Sequence, residues 1–134
     1  MDTKAQLSRR KQRIVIIELL YQKDMGMTPE IPDIPFVQEA LASIETEQTL
    51  IDQIIEDVLV GYTLKRLSTV DRAILRLAVF ELRNTQTPSE IILDEALHLT
   101  HIYTDMGDKK AVAFNNKVLD SILKVVKPAP WKMP

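Results

Sequence analysis

The chain has 134 residues, of which 46% are hydrophobic and 5% aromatic, with three glycines and no cysteine. This composition predicts one domain, favours helices around a mainly aliphatic core, and excludes disulfide bonds, zinc–thiolate sites and a cysteine nucleophile. The net charge of −2 hides an asymmetry, because residues 1–13 hold five basic side chains against one acidic one, Asp2. A polyanion responds to such a local charge and not to the net charge.

The first half of the chain predicts three helices. Ser8 is suited to cap the first of them, and Gly26 is suited to end it. Three prolines predict a loop over residues 28–35. The third helix is the strongest of the three, with an apolar stripe that includes Leu50. The predicted helices run from Arg9 to about Asp24, from Phe36 to about Ser43, and from about Thr46 to Val60.

The second half predicts three more helices, and no segment alternates with the period of a strand. Ser68 and Thr87 are the capping residues expected before the fourth and fifth helices. The expected fold is all-α, with two packed helical halves at about residues 1–62 and 63–127 and a tail at 128–134. The helices are predicted to run from Ser68 to about Asn84, from Thr87 to about Tyr103, and from about Lys110 to Val125.

No apolar run approaches the roughly 20 residues of a membrane span. The apolar stretch after the basic residues, Ile14–Ile17, is interrupted by Glu18 and does not resemble a signal peptide. We therefore expect a soluble, unexported protein of the cytoplasm.

The basic residues at the start of the first helix predict an RNA contact. Arg9 and Arg13 lie one helical turn apart, and Arg10 and Lys11 flank them. Cations at a helix N-terminus oppose the helix dipole, and such a locally unfavourable choice indicates function. No paired recognition helix of a DNA reader is present, whereas guanidinium groups and Tyr21 could stack on bases of a single strand.

Alternative readings of the same features are an ordinary solubilising terminus for the basic residues and a half-buried core position for Tyr21. A rival function is a helical protein-interaction module whose basic segment contacts an acidic protein or a membrane surface. Neither a glycine-rich phosphate loop nor a nucleophile motif is present, so no enzyme is predicted.

Several sequence blocks together resemble the NusB transcription antitermination family. The resemblance covers nearly the whole chain, with the blocks in the family's order. These blocks are Arg9–Arg13, Leu20–Gln22, Asp71–Leu82, Pro88–Leu99 and Phe114–Asp120.

This resemblance implies an all-helical protein of two three-helix bundles, without cofactor or catalytic residues. It implies binding to the boxA element of nascent ribosomal RNA transcripts, together with the ribosomal protein NusE, at the transcription elongation complex. Relatives occur as monomers and as dimers, so a homodimer is compatible with the resemblance.

By resemblance, the start of the last helix joins the RNA surface, Tyr21 lies where RNA and NusE meet, and acids of the fourth helix face the protein partner. The alternatives are a solvated face for the last helix and pairing of Asp71 with a neighbouring arginine. The predicted RNA-binding residues are Arg9, Arg10, Lys11, Arg13, Tyr21, Lys109, Lys110, Asn115, Asn116 and Lys117, and the predicted partner-binding residues are Tyr21, Asp71 and Glu81.

Two positions depart from the family pattern. Asp94 stands where the family usually has asparagine, and Lys117 stands where it has glycine. Asp94 also begins a polar row with His98, His101 and Asp105 on one helical face. Two histidines and a carboxylate at this spacing could bind Zn²⁺, but the row is equally typical of a solvated face and the family uses no metal there, so no metal site is predicted.

Overall fold

The computed structural model describes residues 7–104 and 109–127, and these residues form six α-helices and one 3₁₀ turn, with no strand among them. The prediction of an all-helical fold is confirmed. Within these two ranges, no helix is long and apolar enough to cross a membrane. The elements are α1 (Arg9–Asp24), α2 (Pro35–Thr46), α3 (Gln48–Val58), the 3₁₀ turn (Leu64–Arg66), α4 (Thr69–Asn84), α5 (Ser89–Thr104) and α6 (Lys109–Val126).

Short polar signals fix the ends of the helices. The hydroxyls of Ser8 and Ser68 each accept the backbone N–H of the residue three positions later, at 3.2 and 3.1 Å, as predicted for N-caps. Gly26 closes α1 with a φ of +85°, a conformation that costs glycine little because it has no Cβ. The N–H groups of Gly26 and of the next residue bond carbonyls of the last turn of α1.

The middle of the chain differs from the prediction. Helix α2 is longer than expected, and Glu47 alone separates it from α3. The prediction that Leu50 faces the core is wrong, since its side chain is 46% exposed. Ile51 and Ile55 are fully buried instead, which turns Leu50 toward solvent.

Helix α4 is the centre of the fold. It packs against each of the other five helices, and nine of its residues are buried. One continuous apolar cluster joins helices from both sides of residue 62. The division into two halves at that residue therefore stays a prediction, while the central position of α4 places α1, α5 and α6 around one scaffold.

Candidate nucleic-acid interface

The basic residues at the start of α1 point in two directions. Arg9, Arg10 and Lys11 are exposed, whereas Arg13 is 3% exposed. Arg13 precedes Ile16 and Ile17 on the face of α1 that enters the core, at the spacing i, i+3, i+4. Three of the four predicted cations therefore reach solvent.

Arg13 forms a buried ion pair with Glu81 of α4. Its Nε and Nη2 donate to the two carboxylate oxygens of Glu81, each at 2.8 Å, and Glu81 is 2% exposed. Two parallel charge-assisted bonds are the arrangement that a buried guanidinium requires. Because the two buried side chains bind each other, the structure argues against the predicted contacts of Arg13 with RNA and of Glu81 with a protein partner.

The exposed cations of α1 have different neighbours. The Nε and Nη2 atoms of Arg10 each lie 3.1 Å from a carboxylate oxygen of Glu95 on α5. The guanidinium carbon of Arg9 lies 3.8 Å from the centroid of the Phe36 ring. Lys11 forms no salt bridge with any residue in the described part of the chain. The surface therefore combines one unpaired cation with two that keep exposed faces.

Tyr21 lies on the same helix, eleven residues after Arg10 and about 16 Å further along the axis. This separation rotates it by only about 20°, so both side chains lie on one side of α1. Tyr21 is 40% exposed and borders an apolar cavity of about 460 Å³ that Met27, Val70 and Tyr103 also line.

Tyr103, which lines this cavity, has a raised pKa. Burial raises the pKa of the Tyr103 hydroxyl, and the negative charge of Glu18 raises it further. The hydroxyl is therefore neutral at physiological pH and remains a hydrogen-bond donor. The cavity offers apolar surface together with this donor.

The amide of Asn115 is an internal contact of α6. Its Nδ2 donates to Asp71 Oδ1 at 3.2 Å and to Thr100 Oγ1 at 3.1 Å, and the residue is 1% exposed. Because a carboxylate can only accept, Asp71 fixes the orientation of this amide. This burial and these internal bonds argue against the predicted contact of Asn115 with RNA.

Asp71 itself is half-buried, and the alternative, a salt bridge with a neighbouring arginine, is absent among the described residues. Arg72 pairs instead with Asp24 at 2.7 Å, and Arg76 with Asp52 at 2.8 Å. The predicted use of Asp71 by a protein partner stays a prediction.

The remaining predicted residues of α6 lie on the surface. Lys110, Asn116 and Lys117 are exposed. Lys109 begins α6, but its side chain is outside the described part of the structure. The geometry thus keeps a basic surface on α6 and removes only Asn115 from it.

Comparison with known proteins decides the family. The model of the NusB family matches residues 6–124 of this chain. The chain belongs to the NusB family. This membership confirms the resemblance seen in the sequence blocks.

Individual NusB proteins are similar along most of their length. Transcription antitermination protein NusB of Clostridium botulinum (strain Alaska E43 / Type E3) is 39% identical over 93 residues, which cover 69% of this chain and 68% of that protein. The protein of the same name from Staphylococcus aureus (strain JH9) is 29% identical over 133 residues, covering 88% and 100%.

Solved structures agree with this fold. T. maritima NusB has a TM-score of 0.78 and 28% identity, covering 94% of this chain and 96% of that one. A chain in the crystal structure of a plectonemic RNA supercoil has a TM-score of 0.74 and 26% identity, covering 88% and 96%.

The polar row on α5 does not form a metal site within the described residues. Asp94 and His101 are exposed, His98 is half-buried, and no three His, Asp or Glu side chains in the described ranges come close enough to hold an ion. Asp105, the last member of the row, lies outside those ranges.

Sequence reasoning missed Glu95, whose carboxylate holds Arg10. It also missed the burial of Arg13, although the spacing of Arg13, Ile16 and Ile17 is a signal of a core-facing stripe. No local signal identifies Glu81 as the ion-pair partner of Arg13, because the two residues are 68 positions apart in the sequence.

Proposed function

We propose that this NusB-family protein is a non-enzymatic, RNA-binding transcription antitermination factor. The observation that carries the proposal is the exposed group Arg9, Arg10 and Lys11 at the N-terminus of α1 in a chain of this family. Backbone N–H groups at a helix start add to the attraction of these cations for phosphate. The names of the similar NusB proteins support the antitermination role.

The RNA in this proposal is a single-stranded boxA-type element of a ribosomal RNA transcript. Arg9, Arg10 and Lys11, named here the basic arm, hold its phosphates. Tyr21 contacts a base further along α1, since an exposed aromatic face accepts any unstacked base. The exposed Asn116 and the lysines Lys110 and Lys117 of α6 extend the same surface.

The protein partner in this proposal is the ribosomal protein NusE, and the complex acts in the cytoplasm on the elongating transcription machinery. Tyr21 and Asp71 remain candidates for its contact, whereas Glu81 does not. Glu18 is exposed near Tyr21 and adds negative charge to this region. Such a surface is complementary to a basic protein.

The test replaces the basic arm in one variant, Arg9→Ala/Arg10→Ala/Lys11→Ala. A labelled boxA-type RNA is titrated at several salt concentrations. We expect the affinity to fall by at least about tenfold and the log–log salt slope to become shallower by about 2, near 0.7 for each lost single-strand phosphate contact. Circular dichroism should show an unchanged helical content, because these side chains lie outside the core.

A matched control is Lys124→Ala/Lys127→Ala, which removes exposed cations from the end of α6. It should weaken binding much less than the arm variant. Equal affinity of the arm variant and the unmodified protein would contradict the proposal. Equal affinity for boxA-type and scrambled RNA would instead favour a protein-interaction module with a general polyanion contact.

A further inference from the structure

An aromatic pair, formed by the exposed Tyr62 and the half-buried Phe114, lies where the segment after α3 meets α6. The ring centroids of Tyr62 and Phe114 are 5.4 Å apart at an interplanar angle of 67°, an edge-to-face contact. Tyr62 is 49% exposed, so one side of its ring is braced by Phe114 while much of the rest faces solvent. Gly61, with a φ of +78°, makes the turn that brings Tyr62 to this place.

Cations surround this pair. The guanidinium carbon of Arg66 lies 5.8 Å from the Tyr62 ring centroid, within cation–π range. Lys110 and Lys117 are four residues before and three residues after Phe114, so they share its side of α6. Both lysines are exposed, and Lys117 forms no salt bridge with any described residue.

Two acids lie near these cations. One carboxylate oxygen of Glu56 accepts the backbone N–H of Leu64 at 3.0 Å and so serves the 3₁₀ turn. Asp120 is exposed one helical turn beyond Lys117. Among the described residues, neither acid forms a salt bridge with Arg66 or Lys117, so both cations are available beside the exposed Tyr62 ring.

We propose that Tyr62 and Arg66 form a stacking platform for an unpaired base of single-stranded RNA, with Lys117 holding an adjacent phosphate. The inference rests on the proposed RNA-binding function and adds to it Tyr62 and Arg66, two residues that the sequence did not indicate. An aromatic face beside a guanidinium and ammonium groups is the combination that single-strand binding uses. A basic protein partner would be repelled by the same cations.

The platform lies apart from the basic arm. Asn115, next to Phe114, bonds Asp71 in the first turn of α4, whereas Arg13 below the arm bonds Glu81 near its end. The two α4 residues are ten positions apart, which is about 15 Å along the axis. At about 3.4 Å or more per nucleotide, an RNA held by the arm needs only several nucleotides to reach the platform as well.

The experiment titrates a long boxA-type RNA of about 25 nucleotides, which exceeds the usual footprint of a single-strand module. Tyr62→Ala should weaken binding of the long RNA by about fivefold or more, the usual loss for one stacked base. Tyr62→Phe keeps the ring and should bind the long RNA normally.

A pair of lysine variants separates a local contact from general attraction. Lys117→Gln should weaken binding of the long RNA and lower its salt slope by about 0.7. Lys124→Gln removes an exposed charge two turns further along α6 and should have a clearly smaller effect. Equal losses in the two variants would overturn the platform, since diffuse attraction would then explain both.

Other outcomes distinguish this inference from the proposed function. Unchanged long-RNA affinity of a folded Tyr62→Ala, with a loss in the arm variant, overturns the platform and leaves the proposed function intact. A loss confined to binding of the ribosomal protein overturns the RNA assignment of the platform. No loss of RNA affinity in the arm variant would contradict the proposed function itself.

Discussion

Two arginines of α1, three positions apart, form bidentate ion pairs of opposite character. The side chains of Arg13 and Glu81 are 4% and 2% exposed, while those of Arg10 and Glu95 are 55% and 15% exposed. The donor–acceptor distances are 2.8 Å in the first pair and 3.1 to 3.3 Å in the second. The same chemistry thus occurs once inside the fold and once at its surface.

The difference in burial gives the two ion pairs different roles. In the interior, water cannot replace a lost partner, so the pair between Arg13 and Glu81 is a fixed link between α1 and α4. At the surface, water and salt screen the attraction, and the pair between Arg10 and Glu95 can open at little cost. A phosphate could therefore take the place of Glu95 beside Arg10, but nothing from outside reaches Arg13.

The largest effect is expected from breaking the buried pair. Glu81→Ala should lower the free energy of unfolding by about 3–5 kcal/mol, because it leaves the Arg13 guanidinium buried without a counter-charge. Urea unfolding followed by circular dichroism measures this loss. RNA affinity of the protein that stays folded should change far less than in the arm variant.

The control for this prediction replaces both partners. Arg13→Met/Glu81→Leu removes both charges and fills similar volume, so most of the lost stability should return. The surface counterpart, Glu95→Ala, should cost about 1 kcal/mol or less. A loss for Glu95→Ala as large as that for Glu81→Ala would show that burial does not separate the two pairs.

Local signals predicted much of the fold. The bounds of α1 and α4 follow from the caps Ser8 and Ser68 and from the apolar spacing, and the structure places both helices as expected. The prediction erred where local signals are weak, as at the junction between α2 and α3. There one residue, Glu47, separates the helices, and no proline or glycine marks the boundary.

The site was harder to predict because its chemistry depends on distant residues. The spacing of Arg13 indicates a buried face, but only the packing of α1 on α4 supplies Glu81. Likewise Asn115 is a surface-type residue by chemistry, and its burial follows from Asp71 and Thr100 on two other helices. Contacts between helices carry no local sequence signal, so their partners stay unknown until the fold is known.

A smaller effect, on RNA affinity, is expected when the charge of Glu95 is removed. Glu95→Gln removes the negative charge that competes with phosphate for Arg10. RNA affinity at low salt should rise by about two- to fivefold, the range expected for an exposed ion pair. Titration of the same RNA against Glu95→Gln and the unmodified protein measures the change.

The gain should depend on Arg10. In an Arg10→Ala background, Glu95→Gln should increase RNA affinity much less. The remaining increase would come from the change in overall charge alone. The gain should also shrink as salt rises, because screening weakens the original pair. Reduced RNA affinity in Glu95→Gln would mean that Glu95 orients Arg10 for binding and does not compete with RNA.

The smallest effect concerns Glu18 of α1, which is exposed and forms no salt bridge with any described residue. Its charge and, more strongly, burial raise the pKa of Tyr103 above the ordinary value of 10.0. The Tyr103 hydroxyl therefore loses its proton at a lower pH in the unfolded chain than in the folded protein. The stability linked to Tyr103 is complete below pH 10 and is lost as pH rises through the raised folded-state pKa.

Tyr103→Phe should accordingly lose less stability than the unmodified protein as the pH rises above 10.0, as measured by urea unfolding at each pH. Glu18→Gln should reduce the difference only in part, because burial is the larger cause. Identical pH dependence of Tyr103→Phe and the unmodified protein would show that the hydroxyl is not desolvated. If Glu18→Gln removed the whole difference, the charge of Glu18 and not the burial of Tyr103 would be the main cause of the raised pKa.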